Sequence, residues 1–246
     1  MPEPIQAGLW GLAAASSLVV GAVAGVGLGI PRRAVALVMG FGAGALISAL
    51  AFDLTEEAFA GGGTAATAIG LATGALTYFA GDWLLQRSAR RRASEPPGRG
   101  TIAPTSGPAI VLGTLLDGLP ESIVLGASLL GGAGLSTSLL AAVFLSNIPE
   151  GVAGGRDLSD EGHPRAWIIG LWVGVAIASG IAAGMGNALL SGMDAGAVAI
   201  VQAFAGGAIL TMLADTMMPE AFENGGDWVG LATVLGFASA YLLSRA

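Results

Sequence analysis

The chain has 246 residues, of which 54% are hydrophobic and only 11% are charged. Soluble globular proteins carry about 25% charged residues, so this composition excludes an ordinary soluble domain. The formal net charge of -7 comes without a strongly basic segment that would indicate a nucleic-acid partner, and the absence of cysteine excludes disulfides and thiolate metal sites.

Long apolar stretches follow one another along the chain. A membrane-spanning helix needs about 20 mostly apolar residues, and eight such stretches lie at residues 9–30, 34–52, 64–85, 109–131, 136–153, 166–190, 197–217 and 228–244. We therefore predict an all-α, polytopic membrane helix bundle of about eight transmembrane helices, in one transmembrane domain over residues 1–246. The first stretch has no basic region before it and no clear cleavage site, which favours a span over a signal peptide. The alternative is seven spans, with one weaker segment lying in the membrane interface.

All ten Lys/Arg positions are arginine, and nine lie in the connections after spans one, three and five: Arg32, Arg33, Arg87, Arg90, Arg91, Arg92, Arg99, Arg156 and Arg165. Only Arg245, at the C-terminal end, falls on the other side. The positive-inside rule makes these connections cytoplasmic. It predicts a multi-pass protein of the cell membrane with both termini external. Residues 86–108 are rich in Arg, Pro and Gly, which predicts a flexible cytoplasmic loop. Binding of anionic lipid headgroups is an alternative role for this loop.

Residues 40–59 and 203–222 share a sequence pattern. At a constant offset, Phe41, Gly44, Leu50 and Glu57 recur as Phe204, Gly207, Leu213 and Glu220. The two segments belong to spans two and seven, which cross the membrane in opposite directions. The pattern therefore indicates an inverted repeat of the kind found in secondary transporters; chance similarity of Gly/Ala-rich helices is the alternative.

Glycines four residues apart also recur, a spacing that predicts close packing of membrane helices. The pairs are Gly21/Gly25, Gly40/Gly44, Gly70/Gly74 and Gly170/Gly174.

A Pro-Glu dipeptide lies inside each of spans four and five. The surrounding sequences are Leu-Asp-Gly-Leu-Pro-Glu, ending at Glu121, and Leu-Ser-Asn-Ile-Pro-Glu, ending at Glu150. The two spans form a predicted antiparallel hairpin that turns near residues 131–134. At 1.5 Å per residue, Glu121 lies roughly 20 Å and Glu150 roughly 24 Å from that turn, so both carboxylates are expected well inside the bilayer at similar depth.

Two carboxylates at membrane depth need a positive partner or protons. One ionised side chain at mid-helix costs about 3 kcal/mol, and none of the spans contains Arg or Lys. A divalent cation would fit, because Asp117 lies one helical turn from Glu121, and Ser146 and Asn147 lie on or beside the face of Glu150. Each proline also frees a backbone carbonyl four residues earlier. We predict an oxygen-ligand metal site at Asp117, Glu121, Ser146, Asn147 and Glu150. The alternative is a kinked helix pair with protonated glutamates bonded to Ser or Asn.

These two helices resemble the metal-site helices of the ZIP (Zrt- and Irt-like) family of divalent-cation transporters. Residues 117–122 fall on the family's fourth-helix motif His-Asn-x-Pro-Glu-Gly, and residues 146–151 fall on its fifth-helix Pro-Glu pattern. The eight spans, external termini and long cytoplasmic loop are similar too. The resemblance implies transport of zinc, iron, manganese or a similar cation into the cytoplasm by alternating access, in a homodimer. It also implies that the motif helices move against a scaffold that includes spans two and seven.

The chain departs from the family pattern at three points. Asp117 and Gly118 replace the motif's His and Asn, span six has no acidic residue to complete a second metal position, and the long loop has no His-rich tract. Because imidazole is absent from the predicted site, the ligand set favours manganese, iron(II), cobalt or magnesium over zinc. A second metal position is not predicted.

The sequence therefore favours a membrane transporter, not an enzyme, with the metal ion as substrate and no cofactor. A rival function is an intramembrane hydrolase using paired carboxylates as acid and base, but Asp117 has no GxGD-type partner and the spans hold no His–Ser pair. A third possibility is a degenerate transporter-like protein that senses metal or acts as a scaffold.

Overall fold

A computed structural model describes residues 2–93, 107–130 and 136–245. The helices are α1 (Glu3–Gly27), α2 (Arg32–Ala49), α3 (Thr55–Ala93), α4 (Gly107–Ala127), α5 (Thr137–Asp160), α6 (Arg165–Leu190), α7 (Ala195–Met212), α8 (Met218–Gly225) and α9 (Trp228–Ser244). Five-residue π-helical turns follow α2 at Leu50–Leu54 and α7 at Leu213–Met217. The described part of the chain contains no strand, which confirms the all-α prediction.

Within residues 2–93, 107–130 and 136–245, four helical segments are long and apolar enough to cross a membrane: Glu3–Gly27, Arg32–Arg87, Arg165–Leu190 and Ala195–Gly225. A shorter apolar helix covers Trp228–Ser244. These segments are compatible with a membrane protein. Most of the predicted Arg-rich loop (residues 94–106) and the predicted hairpin turn (residues 131–134) lie outside the described residues.

Two glycines interrupt the helices at points where the backbone requires them. Gly63 lies inside α3 with φ 69° and ψ -174°, so α3 consists of two helical segments that meet there. Gly226 ends α8 with φ 65°. Positive φ is costly for residues with a Cβ, which explains glycine at both turns.

The nine helices of the described residues pack in two groups. In the first group α1 packs against α5 and α6, and α4 packs against α6; in the second, α3 packs against α7, and α2 against α9 and α8. The groups meet mainly through α2 on α5 and α4 on α7. A hydrophobic cluster joins residues of both groups, including Leu46, Leu50, Leu125, Leu139 and Ile209. The predicted site helices α4 and α5 therefore lie together in the first group, beside the second.

Small residues allow these helices to touch backbone to backbone. A Cβ added to Gly74 would lie 1.8 Å from the Phe204 carbonyl oxygen, and one added to Gly25 would lie 2.3 Å from the Val152 carbonyl oxygen. Large apolar side chains point outward instead: Leu76 and Leu242 are each 67% exposed. Such an arrangement is typical of helices whose outer face contacts lipid.

Close packing holds for three of the four predicted glycine pairs, because the members of the first three lie against neighbouring helices. The prediction for the fourth pair is wrong. Added Cβ atoms at Gly170 and Gly174 would meet nothing within 4 Å, since both glycines lie on the exposed side of α6.

Candidate cation-binding site

Both Pro-Glu dipeptides lie within continuous helix. The chain remains helical through Pro120 in α4 and through Pro149 in α5. Proline cannot donate the backbone hydrogen bond of its turn, so each helix tolerates one missing bond next to its glutamate. α4 and α5 contact each other, and α1 packs on both. The two dipeptides are therefore held by packing against a shared neighbour.

Four of the five predicted ligands line one cavity of about 370 Å³. Its walls include Asp117 and Glu121 of α4 and Ser146 and Glu150 of α5. Thr114 of α4 and Asp157 of α5 also line it, together with side chains from elsewhere in the bundle: Met39, Trp172, Met212, Thr216, Met217 and Glu220. The fifth predicted residue, Asn147, does not line this cavity but a smaller void beside it. That void also touches Glu121 and Glu150, so Asn147 lies next to both glutamates without facing the larger cavity.

Glu121 is buried and Glu150 is half-buried, and neither has a basic partner in the described part of the chain. Glu121 is 3% exposed, and Oε1 of Glu150 is buried with no hydrogen-bond partner. The cavity walls contain no Arg side chain, and the sequence contains no Lys. A buried acceptor without a partner costs about 1–3 kcal/mol, and more if it is charged. A cation entering the cavity would remove that cost.

The Ser146 hydroxyl is oriented so that its oxygen can bind a cation. Its hydroxyl donates to the carbonyl oxygen of Val143 at 3.0 Å, so its only proton is used within α5. The oxygen lone pairs remain free, and a lone pair is what a hard cation needs.

Two further side chains approach the site from the second group of helices. The Tyr78 hydroxyl of α3 donates to Oδ1 of Asp117 at 2.6 Å. Thr216, in the second π-helical turn, lies with its hydroxyl 3.5 Å from the same phenol oxygen. The sequence analysis missed both residues. The only available signal was a lone tyrosine within a Gly/Ala-rich span.

A second cavity, of about 270 Å³, adjoins the first. Met39, Ala153, Asp157 and Glu220 line both, and the second is also lined by Arg32, Arg156 and Asn224. The guanidinium of Arg156 donates to the Ile30 carbonyl oxygen, which joins α5 to the connection between α1 and α2. The adjoining cavity thus leads from the Pro-Glu pair toward the end of the bundle that carries Arg32 and Arg156.

The carboxylates do not form a closed metal shell in this structure. Within residues 2–93, 107–130 and 136–245, no three His, Cys, Asp or Glu side chains are close enough to hold one ion. The acidic groups line the cavity wall without converging on one point. A cation here would need water, Ser146 or backbone oxygens, or a tighter arrangement of the helices, to complete its coordination.

No family model matches this chain, and no curated protein matches its sequence.

Proposed function

We propose that this chain is a membrane transporter of divalent metal cations, which pass through the cavity between α4 and α5. One observation carries the proposal. Glu121, which is buried, and Glu150, which is half-buried, come from matched Pro-Glu dipeptides and line the same cavity, where no basic side chain is among the described lining residues. Oε1 of Glu150 is buried without a hydrogen-bond partner. A protein that needed only a kinked helix would gain nothing from two such groups, because each is costly to bury.

The helix arrangement supports a reading of eight spans. The candidate spans are α1, α2 with its π-helical turn, α3 after Gly63, α4, α5, α6, α7 with its π-helical turn, and α9. The segment before Gly63 and the helix α8 then serve as short connectors. With the arginine asymmetry, this threading puts both termini outside the cell membrane.

Two features support an inverted repeat. The π-helical turns at Leu50–Leu54 and Leu213–Met217, and the glycines Gly63 and Gly226, occur at the same offset that relates the two sequence repeats. Corresponding helices of the two repeats also make equivalent close contacts. Gly74 packs on the Phe204 carbonyl and Gly236 on the Phe41 carbonyl, and Phe41 and Phe204 are equivalent positions. Inverted repeats that enclose a site at mid-membrane are common in secondary transporters.

The chemistry of the cavity supports a hard or borderline cation. Its candidate ligands are carboxylate and hydroxyl oxygens, which suit manganese, iron(II), cobalt or magnesium. Transport into the cytoplasm and a homodimeric assembly follow from the resemblance to the ZIP family. The adjoining cavity beside Arg32 and Arg156 supplies an exit on the predicted cytoplasmic side.

The test is metal flux in proteoliposomes that contain the purified protein. We expect wild type to admit Mn²⁺ or Fe²⁺, and Glu121→Ala and Glu150→Ala to abolish flux while still inserting into the membrane. The matched control is Glu56→Ala, which removes an exposed carboxylate. Metal binding without flux in wild type would favour a sensor or scaffold. Unchanged flux in both glutamate variants would refute the proposed site.

A further inference from the structure

Tyr78 makes a hydrogen bond that crosses between the two groups of helices. It lies on α3, which packs chiefly on α7, whereas its acceptor Asp117 lies on α4, which packs chiefly on α6. The phenol is 3% exposed, and its hydroxyl reaches Oδ1 of Asp117 at 2.6 Å. A distance this short is typical of a strong hydrogen bond to a carboxylate.

The geometry fixes how the proton is used. A phenol has one proton to donate, and Tyr78 directs it at Asp117 because a carboxylate is the stronger acceptor. The same oxygen can then accept from Thr216, whose hydroxyl lies 3.5 Å away. Tyr78 thus hydrogen-bonds to one carboxylate oxygen of Asp117. The other oxygen can bind a cation in the cavity that Asp117 lines.

Tyr78 does not itself line that cavity, so any effect it has on a bound cation is exerted through Asp117. Groups that hydrogen-bond to a metal-binding side chain fix its orientation, and their removal typically lowers metal affinity about 10- to 100-fold. Without the phenol proton, the half-buried Asp117 carboxylate would lose a fixed donor and could rotate away from the cavity.

We propose that Tyr78 is a positioning residue for cation binding: it holds Asp117 so that one oxygen faces the cavity. This role rests on the proposed function, because it assumes that Asp117 binds the transported cation. It goes beyond that function by assigning part of the site's affinity to a residue on the second group of helices.

The test is Tyr78→Phe, which keeps the buried ring and removes only the hydroxyl. We expect Mn²⁺ to bind the detergent-purified variant about tenfold or more weakly than wild type, as read from the electron paramagnetic resonance signal of free Mn²⁺. The chain has two tyrosines, so Tyr241→Phe is the matched control and should bind Mn²⁺ as wild type does.

A second measurement separates positioning from a general loss of packing. Protein labelled with 3-fluorotyrosine has two fluorine resonances, which the two Tyr→Phe variants assign. In metal-free protein, Asp117→Asn should move the Tyr78 resonance and leave that of Tyr241 in place. The role of Tyr78 is overturned if its resonance ignores Asp117→Asn, or if Tyr78→Phe binds Mn²⁺ as tightly as a wild type that transports it. Failure of wild type itself to bind or transport any divalent cation would instead overturn the proposed function.

Discussion

Replacement of Glu150 by Gln should separate the destabilising effect of this carboxyl in metal-free protein from its contribution to cation binding. The change keeps the size of the side chain and removes its capacity for charge. In wild type, Oε1 of Glu150 is buried without a hydrogen-bond partner, and Glu121 lines the same cavity. We expect the metal-free variant to be at least as stable as wild type, with a gain of at most about 3 kcal/mol, the cost of a charge at mid-helix.

The same variant should lose stabilisation by metal. A ligand at 100 times its Kd stabilises the folded state by about 2.7 kcal/mol, so saturating Mn²⁺ should raise the thermal unfolding temperature of wild type. It should leave that of Glu150→Gln unchanged. Unfolding of detergent-solubilised protein with and without Mn²⁺ measures both effects, and Glu56→Gln, on an exposed part of α3, is the control. A variant that Mn²⁺ stabilises as strongly as wild type would refute the assignment of Glu150.

Two further predictions concern topology and packing. A Cys introduced at Ser94 should resist an impermeant thiol reagent added outside intact cells and react after permeabilisation, because the arginines around it favour the cytoplasm. Labelling from outside would contradict the predicted orientation of the chain in the membrane. Gly74→Ala should destabilise the protein by about 1–3 kcal/mol, because the added Cβ would lie 1.8 Å from the Phe204 carbonyl oxygen. Gly174→Ala, where nothing lies within 4 Å, should instead be neutral or stabilise by up to about 1 kcal/mol, and equal thermal stabilities for the two variants would contradict the packing described above.

The sequence led us to predict the Pro-Glu pair as the centre of a candidate site, and both glutamates line one cavity. An acidic residue in an apolar helix is costly enough to stand out without any knowledge of the fold. The matched spacing before Glu121 and Glu150 also predicted that Asp117 and Ser146 would accompany them, and all four line one cavity. Asn147 was placed less well, because its position one residue from Ser146 turns it toward the smaller void.

Features that depend on packing between distant helices could not be predicted. Tyr78 and Asp117 are 39 positions apart, and no local pattern links a tyrosine in span three to an aspartate in span four. The π-helical turns were also missed, since one extra residue in a turn leaves the apolar composition of a span unchanged. The failure at Gly170 and Gly174 has a similar origin: glycine spacing permits a close approach but does not say which helix is there to approach.

The cation preference of the site should depend on the side chain at position 117. In the ZIP pattern this position is His, whereas here it is an aspartate that accepts a hydrogen bond from Tyr78. The only histidine of the chain, His163, lies between α5 and α6 and does not line the cavity. It stacks on Trp167 with ring centroids 4.4 Å apart. The native site therefore has no imidazole in its cavity wall.

Asp117→His would supply that imidazole in a usable orientation. One ring N–H can donate to the Tyr78 oxygen, and the lone pair of the other ring nitrogen can then face the cavity as a metal ligand. Imidazole suits zinc, whereas carboxylate suits manganese. We expect the zinc-to-manganese ratio to rise by about tenfold or more, or ~1.4 kcal/mol, in competitive uptake by proteoliposomes. The control is Asp194→His, a change at an exposed helix cap away from the cavity. An unchanged ratio in Asp117→His would mean that Asp117 does not touch the cation, and the ligand set would then reduce to the two glutamates and the side chains of α5.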